Sequence, residues 1–375
     1  MTGRDRELEA FRVLLARLQL GRPEKSVLVT GLRGVGKTVL LNAFESIAEE
    51  AGFRTAKSEI TRETEFRPLV ARLARRALLA VSPAKRMKER ARRAAAVFKA
   101  FTVRIPEGLE IGVDVEAMLG LADSGDLGDD VSDLFVALGE AAAEHETGIV
   151  FLLDEVQFLD RVELEALIAA LHQVAQRELP LTLTGAGLPQ LPALTGAAKS
   201  YAERLFRFET IGRLDERAAR EALELPALAE GVGLEPAAAA RIVALTEGYP
   251  YFLQEYGKHV WNVAAGPAIT LADVERAHEL VQLELDESFF RVRIGRASRA
   301  ELAYLSAMAQ LGSGPYRSGE IAARLGRPGP ESVAPTRARL IAKGLIYSPS
   351  YGLNEFTVPQ FDAFLRRSFP LEAAR

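Results

Sequence analysis

With 375 residues, 48% hydrophobic and 26% charged, the chain has an ordinary globular composition and the length for two or three domains, each with its own core. It has no cysteine, which excludes disulfides and thiol chemistry. A formal net charge of -4 does not suit nucleic-acid binding by the chain as a whole, so such a role must rest on local charge. The four histidines, His145, His172, His259 and His278, are too scattered to form a metal-ligand pair.

The N-terminus is charged from Arg4 onward and lacks the apolar core of a signal peptide. The uncharged run from Leu179 to Ala198 is broken by Pro180, Pro189 and Pro192, so it cannot make a spanning helix. The expectation is a cytoplasmic protein with no membrane partner. Arg4 to Leu20 then reads as an amphipathic helix with Leu8, Phe11, Leu14, Leu15 and Leu18 on one face.

The stretch GLRGVGKT, Gly31 to Thr38, follows the β-rich run SVLVT and precedes a helically spaced segment. In G-x-x-x-x-G-K-[ST] between strand and helix, glycines let backbone N–H groups curl around a phosphate, and the helix points its positive dipole end there. Gly31, Gly34, Val35 and Gly36, with Lys37, Thr38 and Val39 opening the helix, therefore form a nucleotide-phosphate cradle. Lys37 would reach the β- and γ-phosphates, and the Thr38 hydroxyl would sit on Mg²⁺.

FRTAKSEI, Phe53 to Ile60, reads as a second strand, and Glu65 to Val81 as a helix. From Ala84 to Val115 the chain carries an insertion. Met87, Ala91, Ala94, Ala95 and Phe98 mark one helix face, and Lys85, Arg86, Lys88, Arg90, Arg92 and Arg93 the other. FTVRI and LEIGVDV then alternate around Pro106-Glu107-Gly108, as a β-hairpin would. The charged face reads as solvated rather than as a binding surface. Gly120 to Asp130, rich in Gly and Asp, reads as a loop.

GIVFLLDEVQFL, Gly148 to Leu159, suits a central parallel strand with two acids at its carboxyl end. Beside a phosphate loop, Asp154 is placed to hold the nucleotide's Mg²⁺ and Glu155 to deprotonate the attacking water. A helix from Val162 to Arg177 leads to the strand LPLTLTGAG, where Thr184, near its end, is the candidate polar sensor. Ala202 to Ile211 reads as a helix end running into the last core strand, with Arg204 and Arg207 as candidates for an arginine finger or for local salt bridges.

Past Leu214 the pattern turns helical. Gly248-Tyr249-Pro250 separates two of these helices, Gly closing one and Pro opening the next. From Arg296 onward come a helix from Ala300 to Leu311, SGEIAARLG, PESVAPTRARLIAKG and two strands around a Ser-Pro-Ser-Tyr-Gly turn: a helix-turn-helix with a two-stranded wing. This tract holds eleven Lys or Arg against six Asp or Glu, a net +5. Thr336, Arg339 and Lys343 share the outer face of the presumed recognition helix. The wing tip has no basic residue.

The opening GRDREL resembles the segment of AAA+ ATPases that lies against adenine, which implies an adenine contact for Arg4. Taken together, the phosphate loop, the Asp-Glu strand end, Thr184, the Gly-Tyr-Pro turn and the C-terminal winged helix resemble archaeal-type ATPases. These stand between origin-recognition AAA+ initiators and signal-transduction ATPases. The resemblance implies an α/β fold in which a P-loop three-layer core with a parallel sheet (1–213, insertion about 84–115) precedes a helical lid (214–295) and a winged-helix domain (296–375). It implies ATP or ADP with Mg²⁺ as ligands, and Gly248 and Pro250 closing over the nucleotide. One expectation is an ATP-hydrolysing switch that binds double-stranded DNA through the winged helix. The alternative is a regulatory ATPase whose winged helix serves protein interaction and autoinhibition, with a protein partner or a homo-oligomer.

Overall fold

The computed structural model describes residues 1–83, 87–105, 112, 114–200, 202–312 and 314–370. The chain divides into two compact units. One comprises Arg4–Gly31 and Lys37–Ile211; the other comprises Met1–Gly3, Leu32–Gly36 and Gly212–Arg375. The phosphate loop is therefore shared, its five-residue tip grouping with the C-terminal unit.

The first unit runs α1 (Asp5–Gln19), β1 (Ser26–Thr30), α2 (Lys37–Glu50), β2 (Arg54–Glu59), α3 (Phe66–Val81), α4 (Glu89–Thr102), α5 (Leu127–Glu144), β3 (Ile149–Asp154), α6 (Arg161–Gln176), β4 (Leu181–Gly187), α7 (Leu191–Ala198), α8 (Ala202–Leu205) and β5 (Phe206–Thr210). The five strands pair in parallel in the order β2-β3-β4-β1-β5. Every residue of β1, β3 and β4 is buried, as parallel strands covered on both faces must be. Two glycines let β4 sit close to its neighbours. A Cβ on Gly185 would meet Leu28 Cδ2 at 2.7 Å, and one on Gly187 would meet Gln157 Oε1 at 2.7 Å.

The insertion differs from its expected form. Phe101 and Thr102, expected in the first arm of a hairpin, are the buried last turn of α4. Phe101 lies under the Arg67 guanidinium at 4.7 Å, and burial of its ring on the helix wins over the alternating pattern. The rest of the expected hairpin, with Lys85 and Arg86, lies mostly outside the described residues. Arg90, Arg92 and Arg93 are exposed, and Arg93 pairs with Glu140 at 3.5 Å, in keeping with a solvated face.

The expected loop from Gly120 to Asp130 turns helical from Leu127 onward. Asp126 caps α5 by accepting from Asp129 N at 3.0 Å, a start signal the Gly-Asp composition hid. Asp130, fully buried, accepts from Arg67 at 2.6 Å and from the Ser124 amide at 2.8 Å. Burial alone would raise its pKa; the bonds from Arg67 and Ser124 outweigh that and hold it below the ordinary carboxylate value.

The second unit contains α9 (Glu216–Ala229), β6 (Gly233–Leu234), α10 (Pro236–Thr246), α11 (Pro250–Val263), β7 (Ala268–Ile269), α12 (Leu271–Glu284), a π turn (Leu285–Arg291) and α13 (Val292–Ile294). It continues with α14 (Arg299–Ala309), β8 (Tyr316–Arg317), α15 (Ser318–Arg324), α16 (Pro330–Ala342), β9 (Ile346–Tyr347), β10 (Leu353–Phe356) and α17 (Phe361–Ser368). β6 and β7 form a short parallel pair, and β8-β10-β9 an antiparallel sheet. Phe290 of the π turn stacks on Phe361 and Phe364 of α17 at 5.7 and 5.1 Å. The helices from Gly212 to Gly295 and those beyond thus share one aromatic core. Among the described residues no helix is long and apolar enough to cross a membrane.

Candidate nucleotide site

The site is assembled at the carboxyl ends of β1, β3 and β4, where open α/β sheets bind ligands. Gly34 and Gly36 take φ of 85 and 92°, conformations that glycine adopts without strain and that let the loop turn tightly. The Gly31 amide donates to Gly187 O at 3.2 Å, which anchors the loop's start to the end of β4. Lys37, buried at the first position of α2, donates to Gly31 O at 3.1 Å. Val35 is buried and Val39 is exposed.

Thr38 and Asp154 converge. The Thr38 hydroxyl donates to Asp154 Oδ2 at 2.5 Å, while Asp154 Oδ1 accepts from the Glu155 amide at 2.8 Å. Two hard oxygens from neighbouring elements are the donor set Mg²⁺ takes when it binds through few protein groups and keeps water. Among the described residues there is no group of three or more acidic, His or Cys side chains of the kind an all-protein metal cage needs.

Glu155 stands in the left-handed region, φ 57 and ψ 38°, uncommon for a residue with a side chain. The twist turns the chain from β3 into the short 3-10 turn Val156–Phe158 and leaves the Glu155 carboxylate bonded to the Gln157 amide. Gln157 Oε1 accepts from Leu188 N at 3.0 Å. The sequence reading did not single out Gln157; its position two residues beyond Glu155 was the available signal.

Thr184 lies inside the expected strand. The strand continues to Gly187, so Thr184 is its central residue, in register with Val27 and Leu152, three residues short of the end. Its hydroxyl is buried without a hydrogen-bond partner. The strand ends at Gly187, as LPLTLTGAG implied, and keeps Gly185 and Gly187 inside it although glycine usually marks a strand's end.

Arg207 makes the local salt bridge, donating to Glu209 at 2.5 Å. Arg204, on α8, is exposed and has no ion-pair partner among the described residues. Arg4 caps α1 and is buried, and burial lowers its pKa despite the opposing charge of Glu7.

The loop tip is held by the C-terminal unit to which it belongs. The Tyr249 hydroxyl donates to Arg33 O, Tyr251 N to Gly34 O at 3.1 Å, and Arg33 N to Thr357 O at 3.2 Å. Tyr249 is fully buried, and burial raises its pKa well above the ordinary phenol value, so it stays a donor. Gly248, φ 71°, lies so close to Leu214 that a Cβ would meet Leu214 O at 2.4 Å, and its own carbonyl accepts from Leu214 N at 2.9 Å. Pro250 opens α11. Nothing local in the sequence tied Arg33 to Thr357.

On α16 and its cap, Arg339 and Lys343 both face one buried acid. They donate to Glu301 at 3.3 and 2.6 Å, and Arg339 also donates to Thr336 at 3.1 Å. Burial would raise the Glu301 pKa, but the bonds from Lys343 and the Ser298 amide bring it down to about 2.

Residues 1–184 match the family model described as AAA ATPase domain. The chain carries an AAA ATPase domain. Residues 287–365 match a second model, described as Domain of unknown function (DUF8462). The fold is similar to that of the Walker-type ATPase paby2304 of Pyrococcus abyssi, at 16% identity and a TM-score of 0.60, covering 98% of this chain and 96% of that one. A point variant of RuvB from Thermotoga maritima is similar at 15% identity and a TM-score of 0.51, covering 99% and 97%. The Orc1 protein of Aeropyrum pernix in complex with DNA is similar at 17% identity and 0.46, covering 98% and 93%. At these identities the first two likenesses show the fold alone. A comparison with curated proteins found no match.

Proposed function

We propose that this AAA+ ATPase is a regulatory switch: nucleotide at the phosphate loop is read directly by the C-terminal unit, with 214–295 acting as lid and 296–375 as a winged helix used for protein interaction and restraint. The observation that carries this reading is that Leu32–Gly36 groups with Gly212–Arg375, through the bonds of Arg33 and Gly34 to Tyr249, Tyr251 and Thr357. A phosphate entering the loop needs inward-facing amides, so its binding and those bonds act on the same backbone.

In this reading Lys37 holds the terminal phosphates, and Thr38 with Asp154 holds Mg²⁺, which when bound neutralises charge developing on the phosphate oxygens. Glu155 accepts the proton of the attacking water. Arg4 lies beside the adenine, and Gly248 and Pro250 close over the nucleotide. Arg204, exposed and without an ion-pair partner among the described residues, is the remaining candidate for a finger into a neighbouring subunit. DNA binding through Thr336, Arg339 and Lys343 is the weaker reading, since a buried glutamate already draws both cations.

The test is amide hydrogen exchange at Arg33 and Tyr251, without nucleotide, with ADP and with a slowly hydrolysed ATP analogue. The expected result is a change of about tenfold or more in protection at both amides in the wild type and none in Lys37→Ala. Identical exchange in all states of the wild type overturns the reading.

A further inference from the structure

We infer that Gln157 is a positioning residue that ties the Glu155 carboxylate to the start of the phosphate loop through a single peptide unit. The unit is the amide between Gly187 and Leu188. Its carbonyl accepts from the Gly31 amide at 3.2 Å, and its N–H donates to Gln157 Oε1 at 3.0 Å. Gln157 Nε2 in turn donates to Glu155 Oε2.

The side-chain amide has one orientation that satisfies this chain. Leu188 N is a donor and needs the oxygen, which leaves the NH2 group for the carboxylate. Hydrogen bonds in series polarise one another, so each member is held more firmly than it would be alone. The fold makes room for the arrangement: at Gly187 a Cβ would meet Gln157 Oε1 at 2.7 Å. The left-handed backbone at Glu155 turns the carboxylate toward the side chain two residues on.

The chain of bonds gives Gln157 a task of its own. Glu155 hangs on a strained backbone at the end of β3, while the loop that grips the phosphates starts at the end of β1, across β4. Gln157 makes the two ends one hydrogen-bonded body. A displacement of Gly31 when nucleotide enters moves the Gly187–Leu188 amide and with it the acceptor of the water's proton. Misplacing such a group by about 1 Å costs on the order of 10²-fold in rate.

The inference rests on Glu155 being the general base, and the experiment separates the two. Steady-state turnover and equilibrium affinity for a fluorescent ADP analogue are measured for the full chain as wild type, Gln157→Leu, Gln157→Glu, Glu155→Gln and the double variant Glu155→Gln with Gln157→Leu. Gln157→Leu is expected to lower kcat about 10- to 100-fold with affinity within about threefold. Gln157→Glu keeps the acceptor for Leu188 N but faces Glu155 with a like charge, so it is expected to be at least as slow; a role confined to capping β4 predicts near wild-type turnover instead. In the Glu155→Gln background, Gln157→Leu should add no further loss.

Wild-type kcat in Gln157→Leu, or additive losses in the double variant, overturns the inference. Wild-type kcat in Glu155→Gln overturns the general-base reading itself.

Discussion

The two parts of the phosphate loop differ in what holds them. Gly31, Lys37 and Thr38 bond to strand ends of the parallel sheet and to each other. Arg33 and Gly34 bond to Tyr249, Tyr251 and Thr357, more than two hundred residues away in sequence. The first set is built on buried strands whose register fixes every atom. The second hangs on single hydrogen bonds, each worth about 1 kcal/mol net, and so can be exchanged for bonds to a ligand. On the proposed reading, catalytic geometry belongs to the stiff part of the site and readout to the weakly held part.

The sharpest way to test the stiff part is Glu155→Gln. Losing the proton acceptor while keeping Thr38 and Asp154 is expected to slow hydrolysis about 10²- to 10⁴-fold and leave nucleotide binding within a few-fold of wild type, read by turnover beside a direct binding titration. If turnover stays at the wild-type level, the strand-end acids are not what sets the rate, and the contrast between the two parts dissolves.

The sheet-built half of the site was legible in the sequence because each piece is announced locally. An apolar run ending in Asp154-Glu155 is a buried strand with acids at its carboxyl end, and a Gly-rich turn before Lys37-Thr38 is a strand-to-helix phosphate loop. Thr184 sits inside the strand that LPLTLTGAG announced, where Gly185 and Gly187 leave room for Val156 and Gln157 to press against it. Phe101 and Thr102 fitted an alternating pattern, yet packing under Arg67 keeps them helical. The tip's partners were invisible, since a backbone carbonyl at Thr357 carries no sequence signal. Arg339 and Lys343 looked free on a helix face because Glu301, which pairs with both, sits on another helix.

Next in size is the ion pair that joins α3 to α5. Arg67→Met leaves Asp130 buried with only Ser124 to hold it, and removing one member of such a pair costs about 3–5 kcal/mol. Urea unfolding should show that loss, with the tip amides of Arg33 and Tyr251 exchanging as in wild type at native conditions. A loss below about 1 kcal/mol means the pair is not what orders α3 and α5.

In the C-terminal unit the corresponding anchor is titratable. Glu301 has a folded-state pKa of about 2, below its ordinary value of 4.5. The stability it provides is therefore fully present above about pH 4.5 and is lost as the pH falls toward 2. Lys343 and Arg339 are partly exposed and screened, so the contribution is on the order of 1–2 kcal/mol. Acid unfolding of wild type against Glu301→Gln should converge at the low end of that window and separate above it; parallel curves throughout mean that the two cations do not recognise the charge.

The smallest effect bears most directly on the weakly held part. Tyr249→Phe keeps the buried ring, which lies 5.0 Å from that of Phe252, and removes only the hydroxyl bonded to Arg33 O. One hydrogen bond at about 1 kcal/mol corresponds to roughly a fivefold change in an equilibrium. If the bond restrains the tip, its loss makes the loop easier to reshape around phosphate, and basal turnover should rise about fivefold with global stability lowered by no more than about 1 kcal/mol. A fall in turnover would mean that the bonded tip is the productive conformation, and the C-terminal unit would then activate the loop rather than restrain it. The sign of this small change, more than the size of the large ones, decides what the tip's attachment is for.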